Sequence, residues 1–202
     1  MSTENAEPLT TDPRPYRLKA SVLRGYASVL QTRGELDAVL AGVTPAARGI
    51  IVRPPISTLW MDPEPVDEIM AAVEARGGLP AVKRLARAGL ELVVVPLLRP
   101  IIEGLLRIFG ASPSVLFRRM DLMSASTLRG VAFTYTEHTA RAATIDADIY
   151  GPAVPMSRFV RFTAAYELMI ELCGGKPRVS DPVLVAQGPW GSRARCELAW
   201  EK

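Results

Sequence analysis

The chain has 202 residues, 49% of them hydrophobic and 22% charged, with 24 basic against 21 acidic side chains and a formal net charge of +3. That length supports one domain with a sizeable core, and the hydrophobic fraction is ordinary for a globular chain. The near balance of charge excludes a dedicated nucleic-acid binder, and two cysteines, Cys173 and Cys196, are too few for a disulfide framework.

The first fifteen residues, rich in Thr, Pro and Glu, read as a disordered tail over 1–15, leaving 16–202 as a single domain. Met1 is followed by STENAEP, without the basic start and apolar run of a signal peptide. The expectation is a cytoplasmic protein. Residues 17–32 predict an amphipathic helix with Leu18, Val22, Tyr26, Val29 and Leu30 inward, closed by Gly34. Residues 35–40 predict a second, short helix. Thr44-Pro45 reads as a helix cap followed by Pro at the first helical position. Arg53-Pro54-Pro55 is a loop, and Trp60 is expected to anchor the core. Asp62-Pro63 opens a helix over 66–75, which Gly77-Gly78 stops.

Pro80 starts a longer helical segment that includes GLELVVVPLLRPIIEGLLRIFG, residues 89–110. A membrane span needs about 20 predominantly apolar residues, and here Glu91, Arg99 and Glu103 would lie inside the bilayer. The charges are ordered. Arg87, Glu91, Arg99, Glu103 and Arg107 follow one i, i+4 series with Val95 in the gap, so opposite signs can pair along one stripe. The rest of the circumference is apolar, which predicts a largely buried core helix. Pro96 and Pro100 each lack a backbone donor and predict a kink between them. Another helix is expected over 114–124, burying Val115, Leu116, Phe117 and Met120.

The period then changes from 3.6 to 2. Val131, Phe133 and Tyr135 alternate with Ala132, Thr134 and Thr136, and after a turn at Glu137-His138, Ile145, Ala147 and Ile149 alternate with Thr144, Asp146 and Asp148. This is a hairpin with one buried face. Residues 155–173 return to helix, with Phe159, Phe162, Tyr166, Met169, Ile170 and Cys173 on one side. VLVAQGPWGSRARCELAW predicts a second hairpin turned at 188–191, whose last strand points Ala194, Cys196, Leu198 and Trp200 inward. The predicted fold class is α+β: a helical N-terminal half, then β-β-α-β-β as an antiparallel sheet.

Over residues 17–202 this order of elements resembles a small uncharacterised family found mainly in myxobacteria. The resemblance is carried by Arg24-Gly25-Tyr26, Gly34, Trp60, Ser112-Pro113, Arg129-Gly130, Cys173-Gly174 and the closing RCELAW with Trp200. That family is similar to the superfamily of 4-vinyl-reductase-type domains, haem-nitric-oxide-binding domains and TRAPP core subunits. The resemblance implies a fold that binds apolar small molecules or builds protein assemblies, and it assigns no reaction.

Individual residues carry little chemistry. His138 is the only histidine, so no multi-histidine metal site can form; it is read as a solvated turn residue, with a ligand or acid–base role as the alternative. Cys173 and Cys196 fall short of a closed zinc site and read as small buried hydrophobes, although the TRAPP resemblance permits an acylated thiol. Asp146 and Asp148 share a strand face as paired acids do, and as any exposed strand face does. Lys83, Arg84, Arg87 and Arg118-Arg119 are read as solvated basic faces, the alternative being an anionic partner. No glycine pattern makes a phosphate loop, and no cofactor or metal is expected.

Three functional readings follow. The first is a non-enzymatic module, sensor or carrier, for an apolar or amphiphilic small molecule bound between the 80–109 helix and the sheet. Tyr26, Trp60, Tyr135 and Tyr166 would line its pocket, with an anionic head at Arg99 and a tail along Leu97, Ile101 and Leu105. The second is a homodimeric scaffold that uses the apolar helix as its interface and takes no ligand. The third is an enzyme acting on an aromatic or isoprenoid substrate, for which no catalytic cluster can be assembled.

Overall fold

The structure is a computed structural model describing residues 15–110, 112–152 and 154–201, apart from the side chains of Val94, Leu97, Leu98, Ile101, Leu105 and Phe109. The tail expected over 1–15 lies outside the described residues except for Pro15. The stretch expected to be one helix from residue 17 divides into a strand, β1 (Arg17–Lys19), and a helix, α1 (Ala20–Thr32). Tertiary pairing overrides local propensity here. Leu18 is paired with Met61 of β2 (Trp60–Met61) on one side and Leu128 of β3 (Leu128–Arg129) on the other, and the Lys19 N–H donates to Thr127 O at 2.9 Å. A three-stranded sheet, β2-β1-β3, satisfies these backbone groups.

After α2 (Leu36–Leu40), α3 (Pro45–Val52) starts as its sequence predicts. The Thr44 hydroxyl accepts from the Ala47 N–H, and Glu68 accepts the Thr44 N–H and hydroxyl at 2.6 and 2.9 Å. Trp60 is not the expected core anchor. It lies half-buried on a two-residue edge strand, with the Arg129 guanidinium 4.0 Å and the Lys19 ammonium 5.5 Å from its ring centre.

α4 (Glu64–Gly89) is broken where expected, at Gly77-Gly78, with Gly78 at φ 66°, a conformation side chains disfavour. The helical path then runs through a wide π-helical turn (Leu90–Val94) into α5 (Val95–Phe109). The irregularity thus lies before Pro96, not between Pro96 and Pro100. Pro96 cannot donate to Leu92 O, so the ladder is already interrupted there, and the Val95 N–H reaches back to Leu90 O instead. The charge stripe pairs as its spacing predicts: Arg87–Glu91 at 2.6 Å and Arg99–Glu103 at 2.8 Å. Among the described residues no helix is long and apolar enough to cross a membrane.

The helix expected over 114–124 is two short ones, α6 (Pro113–Phe117) and α7 (Met120–Ser124), because the backbone of Arg119 leaves the helical region. The break lets Leu116, Phe117, Met120 and Met123 all face inward. The first hairpin joins β4 (Val131–Thr139) to β5 (Ala142–Tyr150). Its turn is at Ala140-Arg141 rather than Glu137-His138, because a register shift between Glu137 and Thr139 carries the strand two residues further. α8 (Met156–Leu172) follows, then a short strand absent from the sequence expectation, β6 (Lys176–Val179), then β7 (Val183–Gly188) and β8 (Gly191–Glu201). The antiparallel order is β4-β5-β8-β6, with β7 sharing the outer edge of β8. The class is α+β, helices first, as predicted.

The inward faces read from the sequence hold. Ile145, Ala147 and Ile149 of β5 and Ala194, Cys196, Leu198 and Trp200 of β8 are buried, as are Phe159, Phe162, Tyr166, Met169 and Ile170 of α8, whereas Cys173, read on the same side, caps the helix end and is half-buried. Each large side chain so buried stabilises by roughly 1.5–3 kcal/mol. α8 packs against α4 as well as β6 and β8. Lys83–Glu167, at 2.7 Å, and Arg87–Glu171 join the two helices at their rims.

Candidate functional site

Where α1, the π turn, α5, α7, β4 and α8 converge, they leave a cavity of about 120 Å³. Its wall is mostly apolar: Leu90 opens the π turn, Val95 and Ile102 come from α5, Met120 and Met123 from α7, Phe133 from β4, and Phe162, Ala165 and Met169 from α8. Two close approaches shape it. The ring of Tyr26 lies directly on Gly89, and Val93 lies against Gly25, so α1 crosses the long helix with a glycine on each side of the contact.

Ser124, Thr127 and one charged cluster interrupt this wall. Tyr16, Tyr26 and Arg161 all line the cavity: Arg161 Nη2 donates to Tyr16 Oη at 3.5 Å, and Tyr26 lies within electrostatic range of the same guanidinium. Behind them lie Arg158 and Asp67. Arg158 Nε donates to both Asp67 oxygens at 3.0 Å and its Nη2 to Oδ2 at 2.5 Å, whereas Arg161 approaches Asp67 only to 3.7 Å. The Arg158 guanidinium also lies 5.0 Å from the centre of the Tyr16 ring. Burial pushes the phenols of Tyr16 and Tyr26 up, which keeps them neutral donors near pH 7. Burial alone disfavours the Arg161 cation, but Tyr16, Tyr26 and Asp67 outweigh it and hold its pKa above the usual value.

Of the residues expected to line a pocket, Tyr26 does so. Tyr166 is buried elsewhere, edge-on to Phe117 with ring centres 6.1 Å apart, and Tyr135 stacks on Phe117 at 5.6 Å with its hydroxyl on Ser114. Trp60 is at the small sheet. Arg99 is exposed, paired with Glu103, and is not part of the cavity wall that Val95 and Ile102 help to form. The side chains of Leu97, Ile101 and Leu105 lie outside the described residues.

The other candidates separate from this site. His138 is exposed on β4, its Nε2 3.2 Å from Thr144 Oγ1. Asp146 and Asp148 are each held by both nitrogens of a cross-strand arginine, Arg195 at 2.7 and 2.9 Å and Arg193 at 2.6 and 2.8 Å. Each carboxylate thus has its own guanidinium fork, and the two do not form a proton-sharing pair. Burial pushes the Cys173 and Cys196 thiols up to about 11 and about 12, away from nucleophilic thiolate chemistry. Among the described residues no group of three or more His, Cys, Asp or Glu is placed to hold a metal ion.

Sequence reasoning missed Arg161 and Tyr16. One signal was legible. Arg158 and Arg161 occur near the start of α8, where the helix dipole disfavours cations and no acid offsets them. Cations placed there require a specific partner, and Asp67 of α4 supplies one.

No family model matches the chain, and no curated protein matches it. Solved structures do. An Fe(II) unliganded H-NOX protein from K. algicida matches with a TM-score of 0.67 at 8% identity, covering 91% of this chain and 97% of that one. A mutant of the T. Tengcongensis H-NOX matches at 0.65 and 12%, covering 91% and 98%. A structure from work on heme distortion in the H-NOX family matches at 0.59 and 12%, covering 91% and 95%. At these identities the likeness is one of architecture: the chain shares the H-NOX fold.

Proposed function

We propose that this chain is a non-enzymatic module that binds an apolar or amphiphilic small molecule, as a sensor or carrier. The cavity between α1, α5 and α8 carries the reading: a mostly apolar wall with a few polar groups is the usual form of a small-molecule site. An apolar cavity of roughly 150 Å³ is large enough to take benzene, so the free space here suits a single ring or a short alkyl chain.

Proteins of this fold include haem proteins, but the residues of this cavity do not suit haem. Haem iron is held axially by histidine, a cysteine thiolate, methionine together with histidine, or a tyrosine. The only histidine is His138, which is not in the cavity wall, and neither cysteine is in it. Tyr16 and Tyr26 are kept as neutral phenols and are engaged with Arg161. Met120, Met123 and Met169 are left without the histidine that accompanies a thioether.

The test is thermal. Toluene, indole and 1-octanol are titrated into the full chain, alongside Ala165→Phe, which fills the cavity from α8. The expected result is a concentration-dependent rise in melting temperature for the parent chain, by mass action, and none for the variant. Equal behaviour of the two, or no rise with any of the three compounds, overturns the reading.

A second reading, a scaffold pairing with a second copy of the chain, is favoured by a separate observation. On the long helical segment, Leu92 and Ile108 are 51% and 73% exposed. Sedimentation of the parent chain against Leu92→Glu/Ile108→Glu tests it, with dissociation in the variant as the expected outcome. A monomeric parent removes it.

A further inference from the structure

The charged cluster in the cavity wall is unbalanced. Arg158 and Arg161 are 7% and 5% exposed, and the carboxylate beside them is that of Asp67. Among the described residues, two buried cations therefore share one anion, and they share it unequally. Arg158 makes every hydrogen bond of the pair to Asp67, and Arg161 stands beyond hydrogen-bond reach at 3.7 Å. Arg161 is also the one of the two that lines the cavity. Its guanidinium has five N–H donors, and its hydrogen bond to Tyr16 Oη is long, at 3.5 Å.

A buried charge without a full partner is costly, and charged residues are rarely buried unless paired. The arrangement makes sense if the missing negative charge arrives with the ligand. A guanidinium fork matches the two oxygens of a carboxylate. Tyr16 and Tyr26, neutral and adjacent, have hydroxyls able to donate to the same group. Most of the remaining wall is apolar, with Val95, Ile102, Phe133 and Phe162 prominent in it.

We infer that the ligand of this cavity is a carboxylic acid with a small apolar body, bound as its carboxylate by Arg161, Tyr16 and Tyr26. The inference rests on the cavity being a ligand site. It relocates the anionic head expected at Arg99 to a residue on a different helix, one that is buried and not already paired at the surface.

The test uses three probes with one body: 3-phenylpropanoate, its methyl ester and 3-phenylpropan-1-ol, titrated calorimetrically into the full chain. The acid should bind at least tenfold more tightly than the ester or the alcohol. Arg161→Gln leaves the Arg158–Asp67 pair intact and is expected to fold. It should lose the preference for the acid while retaining the alcohol. Tyr16→Phe/Tyr26→Phe keeps both rings and should weaken the acid several-fold with little change for the ester, so it tests the idea even if Arg161→Gln does not fold. If acid, ester and alcohol bind the parent alike, or the acid preference survives these changes, the carboxylate inference fails and the cavity remains a neutral binding site. If none of the probes binds, the acid is excluded as well, and the toluene, indole and octanol titrations decide separately whether the cavity binds anything.

Discussion

Substituting Gly89 by alanine should destabilise the protein even though alanine is the better helix former. Gly89 closes α4, and a Cβ built on it would lie 2.6 Å from both Cδ1 and Cε1 of Tyr26. Carbon atoms pack at about 3.5–4.0 Å, so the overlap is on the order of 1 Å against a ring in a residue only 5% exposed. Relief requires α1 to move off the helix or the ring to swing into the cavity. Overpacking of this kind costs roughly 1–3 kcal/mol, against a gain of about 1 kcal/mol from replacing glycine within a helix. The difference is an expected net loss of about 1 kcal/mol, rising to about 2 kcal/mol if neither element gives way. Gly49 is the control. It lies in α3, is exposed, and has nothing within 4 Å of the place a Cβ would take, so alanine there should stabilise by up to about 1 kcal/mol. Urea unfolding followed by tryptophan fluorescence measures both. Tyr26→Leu, combined with Gly89→Ala, should recover part of the loss by removing the ring atoms in the way. A Gly89→Ala chain as stable as the parent, or more so, would refute the close crossing of α1 on the long helix.

Two further outcomes are expected. Trp200→Ala should cost roughly 3–5 kcal/mol in urea melts, the usual range for a buried aromatic, because Trp200 is 6% exposed and lies 6.3 Å, ring centre to ring centre, from Phe117; a loss below about 1 kcal/mol would mean that β8 does not turn this residue into the core. Burial pushes the Cys196 thiol from 9.0 to about 12, so above pH 9 the unfolded chain holds fewer protons than the native one. This contribution is complete below pH 9 and is lost as pH rises toward 12, with a slope of up to about 1.4 kcal/mol per pH unit from one proton. Unfolding free energies at pH 8, 9.5 and 10.5 should fall less steeply in Cys196→Ala, and an unchanged slope would assign the alkaline loss to other groups.

What was legible in the sequence was written in short-range terms. Phe159, Phe162, Tyr166, Met169 and Ile170 recur at helical spacing, and they form the buried side of α8. Ala194, Cys196, Leu198 and Trp200 alternate, and they face inward on β8. Thr44 caps α3 and Gly77-Gly78 breaks α4 because a hydroxyl acceptor and a left-handed backbone are local properties. β1, β2 and β3 had no such signature. Strands of two or three residues show no period, and they exist through the partners they find at Met61 and Leu128. The site was less legible still. Trp60, Tyr26, Tyr135 and Tyr166 were equivalent as aromatic residues on apolar faces, and only packing sent Tyr26 to the cavity and the others elsewhere. Arg161 meets Tyr16 across 145 positions, and Arg158 meets Asp67 across 91. Neither pairing leaves a periodic trace in the chain, since a hydrogen bond between distant residues depends on where whole elements dock. The docking of α8 against α4 decided which arginine took the carboxylate and which was left facing the cavity.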